Sequence, residues 1–329
     1  MSKAVSRLAP RALVSRLLPR APLLASRTRP NTLLLSAQNN SQSRSPANPR
    51  PFHATASRPD GLTFGDTGRL PEFSLKDKVI IVSGAGRGLG LVQSEALLEA
   101  GAKVYAVDRL EHPDPDFHRV QARARELGTS LSFERLDVRD NISLNATMAR
   151  IADDNGRIDG LLACAGIQQE TPALEYTMED ADRMFGVNIT GTFMTAQAVA
   201  RQMRRLERPG SMVLIGSMSG TVANKGLICS AYNASKAGVL QLARNLAMEW
   251  GPYGIRVNTI SPGYIVTAMT APLFEQFPDR KENWPKDNML GRLSYPEEYR
   301  GAAVFLLSEA SSFMTGTDLR MDGGHAACT

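Results

Sequence analysis

The chain has 329 residues, 38 of them basic and 33 acidic, for a formal charge of +5. That length holds one large α/β domain or two smaller ones, and either buries a sizeable core. The charge is unevenly placed. Residues 1–59 carry ten Lys/Arg and no acid; removing those ten leaves 28 basic against 33 acidic residues, so Asp60–Thr329 is formally −5 and offers nucleic acid no polycationic surface.

The leading segment is rich in Arg, Ser, Leu and Ala, with Arg7/Arg11 and Arg16/Arg20 at helical spacing among Leu8, Leu13, Leu17 and Leu18. An amphipathic, Arg- and Ser-rich, acid-free N-terminus has the composition of a mitochondrial transit peptide. A disordered basic tail is the plainer alternative, and "SRSPANPRP" suits it equally. The stretch "RPFHATASRP" resembles a two-step matrix-processing site, with Arg50, Phe52 and Thr55 in order. Residues 1–59 are thus expected to be a transit peptide to the mitochondrial matrix, and 60–329 one domain. No apolar run reaches the 18 or more residues of a membrane span. Cys164, Cys229 and Cys328 lie far apart without a CxxC pair, and His53, His112, His118 and His325 are scattered. Neither a disulfide framework nor a metal site is expected.

From Lys78 onward short apolar runs alternate with helix-length segments. Strands are expected at 79–82, 104–107, 131–136, 160–163, 212–215, 255–260 and 318–321, and helices at 89–99, 117–127, 144–155, 177–185, 191–203, 231–250 and 297–307. Several strands are apolar throughout, as buried parallel strands are. The alternation predicts an α/β fold, a single doubly wound parallel sheet of Rossmann type with helices on both faces. Residues 266–289, with three prolines and much charge, are too long for an ordinary connection and read as a mobile lid.

The first strand runs into "SGAGRGLG", Ser83–Gly90, and a helix follows. Glycines there permit a tight turn and a close pyrophosphate, and the helix presents free N–H groups and a positive dipole end. Asp108 ends the second strand about twenty residues on, where a carboxylate accepts hydrogen bonds from ribose hydroxyls. A 2′-phosphate facing it at about 4 Å costs on the order of 4 kcal/mol at an effective dielectric near 20. NAD is therefore expected over NADP, although Arg87 and Arg109 could offset the penalty and keep NADP possible. Farther along, Tyr232 and Lys236 in "CSAYNASKAG" stand one helical turn apart.

The ordered set "SGAGRGLG", Asp108, "LDV" (136–138), "CAG" (164–166), "VNITG" (187–191), "IGSMSG" (215–220), "YNASK" (232–236) and "SPGYIVT" (261–267) resembles a short-chain dehydrogenase/reductase over essentially all of Phe73–Gly324. Within that family "GIQQETPALEY", "FMTAQAVARQM", "SMSGTVANKG" and "MLGRLS" are similar to the polyol branch, the mannitol, sorbose, xylulose and arabinitol dehydrogenases. The resemblance implies interconversion of a secondary alcohol and a ketone, with Tyr232 as acid/base, Lys236 as its tuner, and Asn188 holding a water behind the lysine. It also implies NAD(P) contacts from Ser83, Gly84, Arg87, Gly88, Leu89, Gly90, Asp108, Asp137, Val138, Ala165, Gly166, Tyr232, Lys236, Gly263, Ile265 and Thr267, a small-molecule substrate, and a homotetramer. Two serines compete as third catalytic partner: the commoner spacing to the tyrosine picks Ser219, whereas the frame three residues before Gly220 picks Ser217 and is preferred. The tyrosine's ordinary value near 10 must fall for base catalysis at neutral pH, and a lysine ammonium one turn away together with the positive nicotinamide ring has the right sign. The family's Asn-Asn-Ala-Gly is Ala163-Cys164-Ala165-Gly166 here, which loses amides that brace the sheet. An apolar ketone of a biosynthetic pathway is the alternative substrate, and a non-catalytic NAD-binding scaffold or redox sensor the alternative of another class.

Overall fold

A computed structural model describes residues 70–267 and 270–328. The transit-peptide expectation, residues 1–59, and the expected domain start at Asp60 lie outside the described residues. Seven strands form one parallel sheet: β1 (Val79–Ser83), β2 (Lys103–Asp108), β3 (Leu131–Arg135), β4 (Gly160–Ala163), β5 (Gly210–Ile215), β6 (Ile255–Pro262) and β7 (Asp318–Met321), in the order β3-β2-β1-β4-β5-β6-β7. The order reverses between β1 and β4, so the connections there leave in opposite directions and a crevice opens beyond their carboxyl ends.

Successive strand side chains point to opposite faces, and both faces are covered. Val79, Ile81, Leu161, Met212 and Leu214 pack with α3 (Asn141–Asn155), α5 (Thr192–Arg205) and α6 (Ser230–Trp250). Ile80, Val82, Val104, Leu162 and Val213 pack with α1 (Gly88–Glu99), α2 (Asp116–Glu126) and α9 (Arg300–Leu307). This double burial is why β1 is apolar along its whole length up to Ser83.

Helix starts follow local capping. Asp140 accepts from the N–H groups of Ile142 and Ser143, so α3 begins three residues before the expected Leu144. Thr177 caps α4 (Met178–Phe185) by accepting from the Asp180 N–H. The helices expected at 177–185 and 191–203 are continuous, joined by a π turn over Gly186–Gly191. Gly191 is required at its end, because a Cβ there would stand 2.6 Å from Val138 Cγ2. The segment expected as a mobile lid holds α7 (Ala271–Gln276), α8 (Pro278–Asn283) and a 3₁₀ turn (Trp284–Asp287). A last short helix, α10 (His325–Cys328), ends the described chain.

Candidate active site

The β1–α1 turn is built for close approach. Gly84 has φ +66°, and a Cβ there would meet the Ala165 backbone nitrogen at 2.7 Å; a Cβ on Gly90 would meet the Gly84 carbonyl oxygen at 2.3 Å. Gly88, with φ +57°, has nothing within 4 Å of where a Cβ would stand, so its surface is open. Unlike α3 and α4, α1 begins without a side-chain cap at Arg87. Its first N–H groups are free to meet phosphate oxygens, and Leu89 lies in that turn. The Asp108 carboxylate accepts from the Gly86 N–H at 2.9 Å and the Leu110 N–H at 3.2 Å, which fixes it beside the glycine turn. These residues fit a dinucleotide: an open glycine surface, an uncapped helix start and an oriented carboxylate at the crevice.

Ser83 supplies part of the bracing that the missing amides would give. Its backbone carbonyl accepts from Cys164 N–H, and its hydroxyl accepts from Ala165 N–H at 3.3 Å. Asp137 and Val138 stand at the end of β3; Asp137 pairs with Arg139 at 2.6 Å, which holds its carboxyl below the usual range, while Val138 is buried against Gly191.

The catalytic candidates converge between β4, β5 and α6. Ser217 caps the Met218–Gly220 turn by accepting from Ser219 N–H at 3.1 Å, and its hydroxyl lies near enough to the Tyr232 phenol to favour the ionised form. Of the two competing serines, Ser217 is thus the one in contact with Tyr232. The frame to Gly220 has a physical cause: a Cβ on Gly220 would stand 2.7 Å from the Lys236 carbonyl carbon, so only glycine lets the turn press against α6. Lys236 Nζ donates to the Ile215 carbonyl at 2.8 Å and lies 5.7 Å from the Tyr232 ring centroid.

Burial pushes the Tyr232 phenol up to about 12, an effect opposed by the Ser217 hydroxyl beside it. Burial also lowers the Lys236 amine to about 8. Among the protein's own groups desolvation thus outweighs the lysine, whose ammonium is turned to the Ile215 carbonyl.

Asn188, 1% exposed, sits in the π turn. Its Oδ1 accepts from Ile167 N–H, and its Nδ2 donates to the Ile167 carbonyl and the Ser235 hydroxyl, each at 2.9 Å. Ser235 in turn donates to the Tyr232 carbonyl at 2.7 Å. Sequence reasoning missed Ser235, whose one signal is a small hydroxyl between tyrosine and lysine on an otherwise packed helix face. Ala165 and Gly166 lie opposite: a Cβ on Gly166 would stand 3.5 Å from Asn188 Oδ1 and 3.7 Å from Lys236 Nζ. Gly263 packs on Asp322, and the Ile265 carbonyl accepts from Thr270 Oγ1 at 2.7 Å, with Thr267 N–H donating to the same hydroxyl.

Two further features of the crevice were not legible. Glu170, beyond β4, forms a two-point ion pair with Arg280 of α8, at 2.7 Å on each arm. Tyr264 stacks on Trp284 with ring centroids 4.1 Å apart. The partners lie too far apart in sequence for any spacing to reveal them.

Residues 84–326 match a family model described as enoyl-(acyl carrier protein) reductase. The chain is 41% identical over 261 residues to a protein of Aspergillus versicolor named "Short chain dehydrogenases/reductase notP'", covering 78% of this chain and 89% of that one. It is 37% identical over 273 residues to a ribulose-forming D-arabinitol 2-dehydrogenase of Candida albicans, covering 78% and 95%. A crystal structure of a gluconate 5-dehydrogenase from Burkholderia cenocepacia in complex with NADP and tartrate superposes with a TM-score of 0.72 at 31% identity, covering 79% and 99%. Sheet order, glycine turn, serine–tyrosine contact and these likenesses agree, and the chain belongs to the short-chain dehydrogenase/reductase family of NAD(P)-dependent oxidoreductases acting on CH–OH groups.

Proposed function

We propose that this chain interconverts a secondary alcohol of a polyol and the corresponding ketose, of the arabinitol/ribulose or mannitol/fructose type, with a preference for NAD(H). The Ser217 hydroxyl beside the Tyr232 phenol carries the reading, since one substrate oxygen would reach both groups. Bound nicotinamide supplies or accepts the hydride. Tyr232 gives the oxygen its proton on reduction and takes it on oxidation, while Ser217 holds that oxygen in line. Lys236 keeps its amine beside the tyrosine through the Ile215 carbonyl. Asn188 acts as a positioning residue that ties Ile167 to α6 through Ser235.

The cofactor would lie along the glycine turn from Gly84 to Gly90, with Asp108 at the adenosine ribose and Asp137 and Val138 at the adenine. Ala165, Gly166, Gly263, Ile265 and Thr267 would meet its nicotinamide end. The Asp108 carboxylate supports NAD, because a 2′-phosphate would face it. Polar groups around the crevice, namely Asn224, Asn233 and the Glu170–Arg280 pair, together with likeness to D-arabinitol 2-dehydrogenase, support a polyol. The Tyr264–Trp284 stack with Phe274 against it favours the second reading, an apolar ketone.

Initial rates with arabinitol, mannitol, sorbitol, xylulose and fructose, against aromatic and lipid ketones, separate the two substrate readings. On the best substrate Tyr232→Phe should lose about 10²-fold or more in kcat, the usual contribution of a positioned acid/base. A variant that keeps more than a few per cent of turnover ends the assignment of Tyr232.

A further inference from the structure

The Glu170–Arg280 pair is nearly enclosed, with the arginine side chain 12% and the glutamate 16% exposed. Both terminal guanidinium nitrogens are engaged, one on each carboxylate oxygen at 2.7 Å. The arginine is held from its other side by aromatic faces, 4.0 Å from the Phe277 ring centroid and 5.5 Å from that of Trp284. Cation–π contact and a filled fork leave the guanidinium little freedom.

The pair also borders the reacting groups. Thr171, next to Glu170, donates its N–H to the Ile228 carbonyl at 3.0 Å, which ties the β4 loop to the approach to α6. Cys229 follows, three residues before Tyr232, and its thiol bonds to Asn233 Oδ1 at 3.0 Å. Burial pushes that thiol up to about 11; Glu170 adds to the shift and Arg280 opposes it, so both charges are felt beside the tyrosine. Trp284, under the arginine, stacks on Tyr264 at the end of β6. A permanent cation thus stands in the wall of the crevice, already neutralised by a carboxylate of the same chain.

We propose that Glu170 is a charge-selecting positioning residue: by occupying the fork of Arg280 it withholds the guanidinium from substrate, so the crevice takes neutral polyhydroxylated substrates and turns away their carboxylate analogues. This rests on the polyol reading for the substrate skeleton. The charge selection itself follows from the ion pair. An arginine freed of its partner is a two-point carboxylate receptor, and a glutamate freed of its arginine is an anionic wall.

Sorbitol, gluconate and glucamine share one carbon skeleton and differ in end-group charge. Calorimetric titration of each into the full chain saturated with NADH reads the effect. Glu170→Gln should bind gluconate at least tenfold more tightly than wild type, with sorbitol changed less than threefold. Arg280→Gln should do the reverse, gaining at least tenfold for glucamine. The double substitution Glu170→Gln/Arg280→Gln should lose the gluconate gain. A folded Glu170→Gln protein with wild-type gluconate affinity overturns the proposal, and so does a gain that survives in the double variant. Should Glu170→Gln not fold, unchanged glucamine affinity in Arg280→Gln overturns it alone. Failure of wild type to oxidise any neutral polyol would end the polyol reading and leave these binding comparisons decisive.

Discussion

Gly220→Ala tests whether catalysis depends on how closely the Met218–Gly220 turn lies on α6. Gly220 has an ordinary backbone conformation, so the substitution acts through contact alone. The added Cβ would stand 2.7 Å from the Lys236 carbonyl carbon and 2.9 Å from both the Lys236 oxygen and the Ala237 nitrogen. Non-bonded heavy atoms rest about 3.5–4.0 Å apart, so about 1 Å must be found. The 21-residue α6 is locked into the sheet through Val239, Ala243 and Leu246, and the short turn is the part that yields. Gly220 N–H donates to the Ser217 carbonyl at 2.9 Å, so the displacement reaches the serine and loosens its contact with Tyr232. A misplacement of about 1 Å costs roughly 10²-fold in rate. Overpacking costs about 1–3 kcal/mol, which lowers Tm by roughly 2–4 °C per kcal/mol in a domain of this size. Initial rates on the best alcohol should give kcat down by about 30- to 100-fold, and NADH fluorescence titration should give Kd within about threefold of wild type, since the glycine turn at Gly84–Gly90 is untouched. A stable variant with kcat within about threefold of wild type would refute the reasoning.

Two further outcomes follow from the charges at the crevice. The Lys236 amine, 6% exposed, is lowered to about 8 from 10.5, a penalty of about 3 kcal/mol at 1.36 kcal/mol per pH unit. Below pH 8 folded and unfolded chains both hold the proton and the penalty is fully present; from pH 8 towards 10.5 only the unfolded chain holds it, so this group makes stability rise with pH. Urea unfolding of wild type and Lys236→Met without added cofactor, between pH 7.5 and 10, should show that rise as a difference between the proteins, because the buried thiols Cys164 and Cys229 titrate in both; parallel curves would contradict it. Asp108→Ser removes the carboxylate that a 2′-phosphate would face, worth up to about 4 kcal/mol before solvent screening, and should raise the NADPH/NADH ratio of kcat/KM at least about tenfold. An unchanged ratio would dismiss Asp108 as the discriminating group.

The strand pattern was legible where burial on both faces leaves a continuous apolar run, and β4 falls where the sequence places it. Helix ends were less so. The apolar period of α3 starts at Leu144, whereas its hydrogen-bonded start depends on the side chain of Asp140, which no period reports. Likewise the π turn over Gly186–Gly191 is a slip of hydrogen-bond partners, which leaves polarity almost unchanged and so reads as a gap between two helices. The order in residues 270–287 comes from Trp284 against Tyr264 and Arg280 against Glu170, contacts across 20 and 110 positions.

The same limit governs the chemistry. Spacing placed Tyr232 and Lys236 on one helix face, and from spacing alone the ammonium should ease ionisation of the phenol. The fold adds two facts that reverse the balance: the lysine amine donates its hydrogen bond to the Ile215 carbonyl, and both groups lie out of water. Desolvation disfavours whichever form is charged, so it moves the phenol up to about 12 and the amine down to about 8. At neutral pH the resting pair is then a protonated phenol beside an ammonium, which is the state that donates a proton to a carbonyl. Oxidation needs the opposite state, and a single positive charge brought within about 4–6 Å of the phenol would favour it. The protein's own groups therefore poise Tyr232 as an acid, and the direction of catalysis at neutral pH is set by what is bound beside it.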